Sequence, residues 1–476
     1  MDRASILAKD GPQRPFTAIA SEVPGIAKPD YCWFALFILT LIYVLNVTDR
    51  WIVTILLQPM KEELRLPDWQ LGLLNGLAFA ALSSTLGLKI ARHAERANRV
   101  RILGLSLLSW SVMTVLCGRA TNFLQMLLFR MGVGAGEAGC MPTSHSLIAD
   151  YFPPDRRTTA YALYGLGLPI GGMLGMISGG VITDHWGWRS AFIAAGLPGI
   201  LLGVGLRFLL REPPRGEQDT TRPSASAEVP PLRAVLALLW RCRTTRHTII
   251  ALTLSVLIAN AASCFFPAFL VRRFELPYSF VAILTALTNF VPAAIGVLVF
   301  GLAADRLGNR DRRWYMWVPM VAVLLAIPFH LIAYRQAQWL PMIAFLIVPG
   351  FCAAAYMAPS FATLQNIATS RMRATVTAVA AICTGLIGMG IGPLLGGMTI
   401  DTLAGHLFAT GGMGDFALTC PGGAPPPNAS AAVALSCRET LASATQLALL
   451  LWAPLMIWPA VHYYIASRSI RRDLGY

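Results

Sequence analysis

Charge is scarce in this chain. Asp, Glu, Lys and Arg together make up 13% of its 476 residues, against roughly 25% in a soluble globular protein. Hydrophobic residues reach 55% and the mean hydropathy is +0.59. The shortage excludes water as the main solvent. Catalytic signatures are missing as well. There is no Gly-x-Ser-x-Gly elbow, no Gly-x4-Gly-Lys-Ser/Thr phosphate loop and no His/Cys metal spacing, which argues against a hydrolase, an ATP-driven pump and a metalloenzyme. Nothing in the sequence asks for a cofactor or a metal. His145 and Asp150 have the spacing of some acyltransferase motifs, but residues five apart on one helix point about 140° away from each other. The match is accidental, and no enzyme is expected.

What is present is a series of long apolar runs separated by short basic loops. Candidate spans are residues 32–55, 70–91, 101–117, 121–144, 160–183 and 189–210, then 248–270, 281–303, 315–334, 338–366, 373–401 and 441–466, each long enough to cross a bilayer. This is an all-α integral membrane protein with 12 transmembrane helices. Formal net charge is +14, which in a soluble chain would suggest nucleic acid. Here the basic residues concentrate on one side. With both termini cytoplasmic, most Lys and Arg fall inside, as the positive-inside rule requires, and face lipid headgroups; no nucleic-acid partner is expected. Arg50 and Arg130 are the exceptions, lying within spans. Residues 1–30 are polar and mixed in charge and read as a cytoplasmic tail, not a cleaved signal.

The chain divides into an amino-terminal six-helix bundle (31–210), a Pro-, Ser-, Thr- and Arg-rich cytoplasmic linker (211–247), a carboxy-terminal bundle (248–466) with an exterior loop at 402–440, and a short tail (467–476). Self-comparison supports two similar halves. Residues 91–99 (Ala-Arg-His-Ala-Glu-Arg-Ala-Asn-Arg), after the second span, are echoed by residues 302–310 (Leu-Ala-Ala-Asp-Arg-Leu-Gly-Asn-Arg), after the eighth. Residues 165–172, around Pro169, are echoed by 388–397, around Pro393, in the fifth span of each half. Repeated halves enclosing a midplane site are how alternating-access carriers are built. Of the nine cysteines, seven lie in or near apolar segments as packing residues. Cys420 and Cys437 lie in the exterior loop, where they are either a disulfide closing that Gly/Pro-rich segment or two free thiols.

Ionisable residues inside the apolar runs are the functional candidates, because they are tolerated only when they face the protein interior and find partners. The fourth span carries Arg130 and Glu137, seven positions apart and so on nearly one face, about 10 Å apart along the axis. Gly132, Gly134 and Gly136 between them allow a neighbouring helix to approach closely. Asp49 and Arg50 lie in the first span after Asn46 and Thr48. Burial disfavours a charged Asp49 unless a cation is near, and Arg130 is the expected cation. Glu137 and Asp49 are therefore expected to compete for Arg130, with protonation of one freeing the arginine for the other or for an anionic substrate. The alternatives are a structural ion pair in span four and an Asp49 that caps backbone at the membrane edge. In the loops, Glu95 with Arg96 and Arg99, and Asp305 with Arg306 and Arg310, are expected to lock the cytoplasmic face. Arg50, Tyr161, Tyr164, Asn260, Asn289, Tyr356 and Ser360 are candidate cavity-lining residues, most of them serving helix association.

Arg130–Ala138, with Asn46-Val47-Thr48-Asp49-Arg50 and Arg211-Glu212-Pro213-Pro214-Arg215-Gly216, resembles the Spinster branch of the major facilitator superfamily, and the resemblance covers essentially the whole chain. It implies two pseudo-symmetric six-helix bundles around a central cavity, a rocker-switch cycle and, commonly, proton drive. Asp49, Arg130 and Glu137 match the family's charged cavity positions; Arg96 and Asp305 match its loop motif. Glu95 stands where aspartate is usual, and Lys89 and His93 replace commoner apolar residues, implying a looser lock. The expected function is a proton-coupled secondary transporter, monomeric and in a bacterial inner membrane, moving a small organic anion or amphipathic molecule. A drug/proton antiporter and a nontransporting sensor on a carrier fold are the rivals; the paired charges weigh against the sensor.

Overall fold

Every described element is helical. The structure, a computed structural model, describes residues 29–94, 97–214, 232–369, 372–426 and 429–474; Glu95 and Arg96, the tail before residue 29 and most of the linker lie outside that set. Among the described residues nine helices are long and apolar enough to span a membrane. One of them, Thr159–Leu209, is 51 residues long and reverses direction at Gly187, whose φ of 79° and ψ of 164° suit a residue without a side chain. It therefore makes two crossings. Two more helices complete a set of twelve: residues 68–94, interrupted at Gly76, and residues 123–151, interrupted between Glu137 and Cys140. They are called spans one to twelve below, with residues 29–214 forming the first half and 232–474 the second.

The two echoed glycine stretches have the same packing role. In span five, a Cβ on Gly171 would lie 2.5 Å from the Val44 carbonyl oxygen and one on Gly175 2.7 Å from that of Thr48, both in span one. In span eleven, a Cβ on Gly392 or Gly396 would lie 2.6 or 2.4 Å from the Leu257 or Ala261 carbonyl oxygen of span seven. Each half thus packs its fifth helix, backbone on backbone, against its first. The same helices cross the seam between halves: a Cβ on Gly180 would lie 2.5 Å from the Tyr278 carbonyl oxygen of span eight, and one on Gly72 in span two 2.1 Å from Pro393 O. Close approach of this kind replaces the hydrophobic drive that lipid does not supply. Cys383–Ile391 of span eleven forms a wide π turn, a local loosening at this seam.

One end of the molecule carries the described chain ends and the linker, here the terminal end; the other carries the connection before span twelve, here the loop end. That connection is shorter than the expected 402–440. Helix Gly392–Thr410 continues past residue 402, and Ala431–Trp452 begins well before 441, capped by Ser430 Oγ accepting from the Val433 amide. The alanine-rich start of the latter favours helix; only residues 411–430 remain as connection. Cys420 and Cys437 are bridged, their Cα atoms 5.8 Å apart. The last span also extends beyond 466, to Asp473, and the linker contains a helix, Leu232–Arg241.

Candidate functional site

Four ionisable side chains meet at mid-depth in the first half. Asp49, Arg130 and Glu137 are each 2–3% exposed. Asp49 and Arg50 are adjacent on a helix and so point about 100° apart, and they serve different neighbours. Asp49 Oδ2 accepts from Thr114 Oγ1 of span three at 3.0 Å, while Arg50 Nε donates to Glu137 Oε2 of span four at 2.7 Å. The expected competition for Arg130 is not the arrangement found. Arg130 turns to span two, its Nε 3.4 Å from the Leu74 carbonyl and its guanidinium 5.6 Å from the centre of the Phe79 ring. Arg50 lies over the same ring at 4.8 Å. Arg50 takes Glu137 because it projects towards span four, whereas Arg130, one face round, is left within electrostatic reach of Asp49 and Glu137 without an ion pair. Asp49 lies near the middle of helix Pro29–Leu64 and bonds a side chain of span three.

Access separates the four. The Glu137 side chain is 0% exposed and that of Arg50 is 35% exposed, so Arg50 is the member that reaches open space. Behind it, Asp49 Oδ1 is buried with no hydrogen-bond partner among the described residues, a costly condition in a low-dielectric interior. The three span-four glycines act as expected. A Cβ on Gly134 would sit 2.3 Å from Phe79 O, one on Gly136 2.6 Å from Trp110 N and one on Gly132 2.8 Å from Met113. Next to the cluster, Tyr43, Met141, His145, Tyr161, Tyr164 and Gly165 line a cavity of about 400 Å³, with Tyr43 stacked on Tyr164 at 4.6 Å. The other candidate lining residues bond to protein neighbours. Asn260 and Asn289 donate to carbonyls four residues back in their own helices, and Ser360 bonds Tyr463 at 3.1 Å in a packed cluster with Tyr356.

The loop end carries a second charged group that spacing alone did not reveal. Asp68, fully buried at the start of span two, accepts from Lys61 Nζ at 3.0 Å and from Arg272 Nη2 at 2.6 Å. Arg272 belongs to the second half, and its Nε also donates to Gln58 at 2.7 Å. Asp401 of span eleven accepts the backbone amides of Asp68 and Trp69 at 3.0 and 2.8 Å. Asp184 of span five does the same for Tyr278 and Ser279 at 3.0 and 2.7 Å. Each half thus caps the first turn of a helix in the other, where the unpaired amides and helix dipole favour an anion. Asp401 gave a signal of the same kind as Asp49, an acid inside an apolar run; Lys61, Asp68 and Arg272 did not, since charges at span ends are ordinary.

At the terminal end the ion pairs among the described residues stay within halves. Arg99, 2% exposed, bonds Asp150 of span four and, at 2.7 Å, Glu212 after span six. Its expected partner Glu95 lies outside the described residues. Asp305, Arg306 and Arg310 are exposed, with no ion pair among the described residues. The acid of this region that does pair is Asp311, with Arg471 at 2.6 Å.

Twelve spans in two like bundles, sealed to each other at one end and enclosing buried ionisable residues, are the build of a membrane transporter rather than an enzyme. The chain belongs to the major facilitator superfamily, whose model matches residues 39–393. Its likeness within the superfamily is to the Spinster type. A bacterial homologue of the human lysosomal transporter Spinster, solved in an inward-facing and unoccupied conformation, superposes with a TM-score of 0.85 at 28% identity, over 94% of this chain and 99% of that one. An MFS-type efflux pump of Mycolicibacterium smegmatis is 28% identical over 97% of this chain and 98% of its own length. A probable sphingolipid transporter, spinster homolog 1 of Arabidopsis thaliana, is 30% identical over 36% of this chain and 35% of its own.

Proposed function

We propose that this multi-pass carrier moves a small organic anion or amphipathic molecule by alternating access, coupled to protons, as a monomer in a bacterial inner membrane with both termini cytoplasmic. The observation that carries the reading is the Arg50–Glu137 pair, a cation reaching open space held by a carboxylate that does not. A proton on Glu137 cancels the pairing and frees the Arg50 guanidinium for an anionic group, for which its planar fork of donors is suited. Arg130 and Asp49, sealed behind, set the field in which that exchange takes place, and the aromatic cavity beside them supplies the apolar contact an amphipath needs. The loop end is the closed gate and the terminal end the open one, so the conformation faces inward. Export is the second reading. It is favoured by the full-length likeness to the M. smegmatis efflux pump.

The test is transport by purified protein in vesicles with an imposed pH gradient, against organic anions, lysolipids and amphipathic cations. Glu137→Gln should abolish gradient-driven accumulation while leaving substrate exchange at equilibrium. Accumulation at the wild-type rate in both Glu137→Gln and Asp49→Asn would remove proton coupling from this site. The side on which substrate accumulates separates uptake from export.

A further inference from the structure

The helix inside the linker, Leu232–Arg241, has three kinds of surface in a fixed order. Val235 and Leu239 are buried, at 0 and 6% exposed, against Leu364 and Ala368 at the end of span ten and Val376 and Ala380 at the start of span eleven. About 60° to 80° further round the helix, at the roughly 100° per residue of an α-helix, comes a second apolar stripe that no described residue covers. Leu232, Leu236 and Trp240 lie at four-residue spacing and are 56, 46 and 68% exposed. Next round come Arg233 and Arg241, both exposed. A stripe of this kind is expensive in water, and arginine is expensive in hydrocarbon. The sequence buried, apolar-exposed, basic is what a helix lying in a membrane interface presents, one side on its protein, one in the acyl boundary and one among the headgroups.

The surroundings select the sign of the headgroup. Arg243 is exposed just beyond the helix, and Arg246 Nη1 donates to the Trp240 carbonyl at 3.3 Å, its guanidinium 5.9 Å from the Trp240 ring. No acidic residue occurs between Leu232 and His247. The acid that reaches this turn, Asp473, is occupied by the Thr244 amide and hydroxyl at 3.1 and 2.7 Å. The indole is an aromatic anchor suited to the interface, with Arg246 beside its ring and Arg233, Arg241 and Arg243 on the same segment, each contributing attraction to an anionic surface.

We infer that Leu232–Arg241 docks on the membrane surface at the terminal end through Leu232, Leu236 and Trp240, and that Arg233, Arg241, Arg243 and Arg246 make that docking selective for anionic phospholipid. Because its other face holds the ends of spans ten and eleven, lipid charge acts on the mouth that must close when the carrier turns.

Hydrogen exchange of the 232–241 amides tests this in the full chain, in bilayer discs of phosphatidylcholine alone and with about one third phosphatidylglycerol. Exchange should slow about tenfold in the anionic discs, and added salt should reverse the effect. Leu236→Ser with Trp240→Ser, both at exposed positions, should abolish the slowing; Arg233→Gln with Arg241→Gln should abolish only the difference between the two lipids. Equal exchange in both discs for the unmodified chain overturns the inference, as does a lipid response that survives the double serine variant.

Discussion

The two ends of the molecule use the same residue types for different tasks. At the loop end, acids reach across the seam: buried Asp68 holds Arg272, half-buried Asp401 caps span two and exposed Asp184 caps span eight. At the terminal end, Arg99 with Asp150 and Glu212, and Arg471 with Asp311, tie helices of one half to each other. In the proposed alternating-access cycle, braces within a half stay unchanged as the halves rock, whereas ties across the seam break. The first kind sets the stability of a bundle and the second sets the conformational balance.

That distinction is open to attack by substitution, with native Cys264 as probe. It is buried in the seam, where it accepts from Asn75 Nδ2 of the other half at 3.0 Å. The largest effect is expected from Asp68→Asn. Two buried cations would face each other uncompensated, a loss of about 3–5 kcal/mol, read as a lower unfolding midpoint and faster maleimide labelling of Cys264. Unchanged labelling would break the comparison. Arg99→Gln should cost about 2 kcal/mol by removing a buried guanidinium that Asp150 and Glu212 both accept from, lowering the unfolding midpoint while Cys264 labels at the wild-type rate. Asp184→Ala and Asp401→Ala should each cost about 1 kcal/mol, the worth of a helix cap. Both should raise Cys264 labelling, by similar amounts; a rise in only one would show that the latch is lopsided. Arg471→Gln should be smallest, below about 1 kcal/mol, since that side chain is 50% exposed; its melting curve should overlay the wild type.

Much of the fold was legible because a bilayer forces apolar residues into runs of known length. The two-half build was legible from the repeated glycine stretches, whose shared role in the packing is Gly171 and Gly175 against span one and Gly392 and Gly396 against span seven. The buried ionisable set was visible for the same reason, as exceptions to the apolar pattern. Its wiring was not. Spacing along a helix fixes the direction of a side chain but not which neighbour stands there, so Arg130 was given a partner that Arg50 holds. The Asp68–Arg272 tie joins residues 204 positions apart, and neither is unusual where it stands. The helices reach 410 and 431, inside the expected 402–440 loop, because the flanking alanine- and leucine-rich residues favour helix.

Consider the line along which spans two and eleven touch. Where Gly72 meets Pro393, Gly76 meets Gly390 and Gly397 meets Asp68, a methyl group would come within 2.1–2.3 Å of a carbonyl oxygen. Bare main chain slides on bare main chain there, with no interlocked side chains to disengage. Such a joint stores little energy of its own. The timing of each half-cycle is then left to a few charges, and the traffic rate becomes adjustable without rebuilding the bearing.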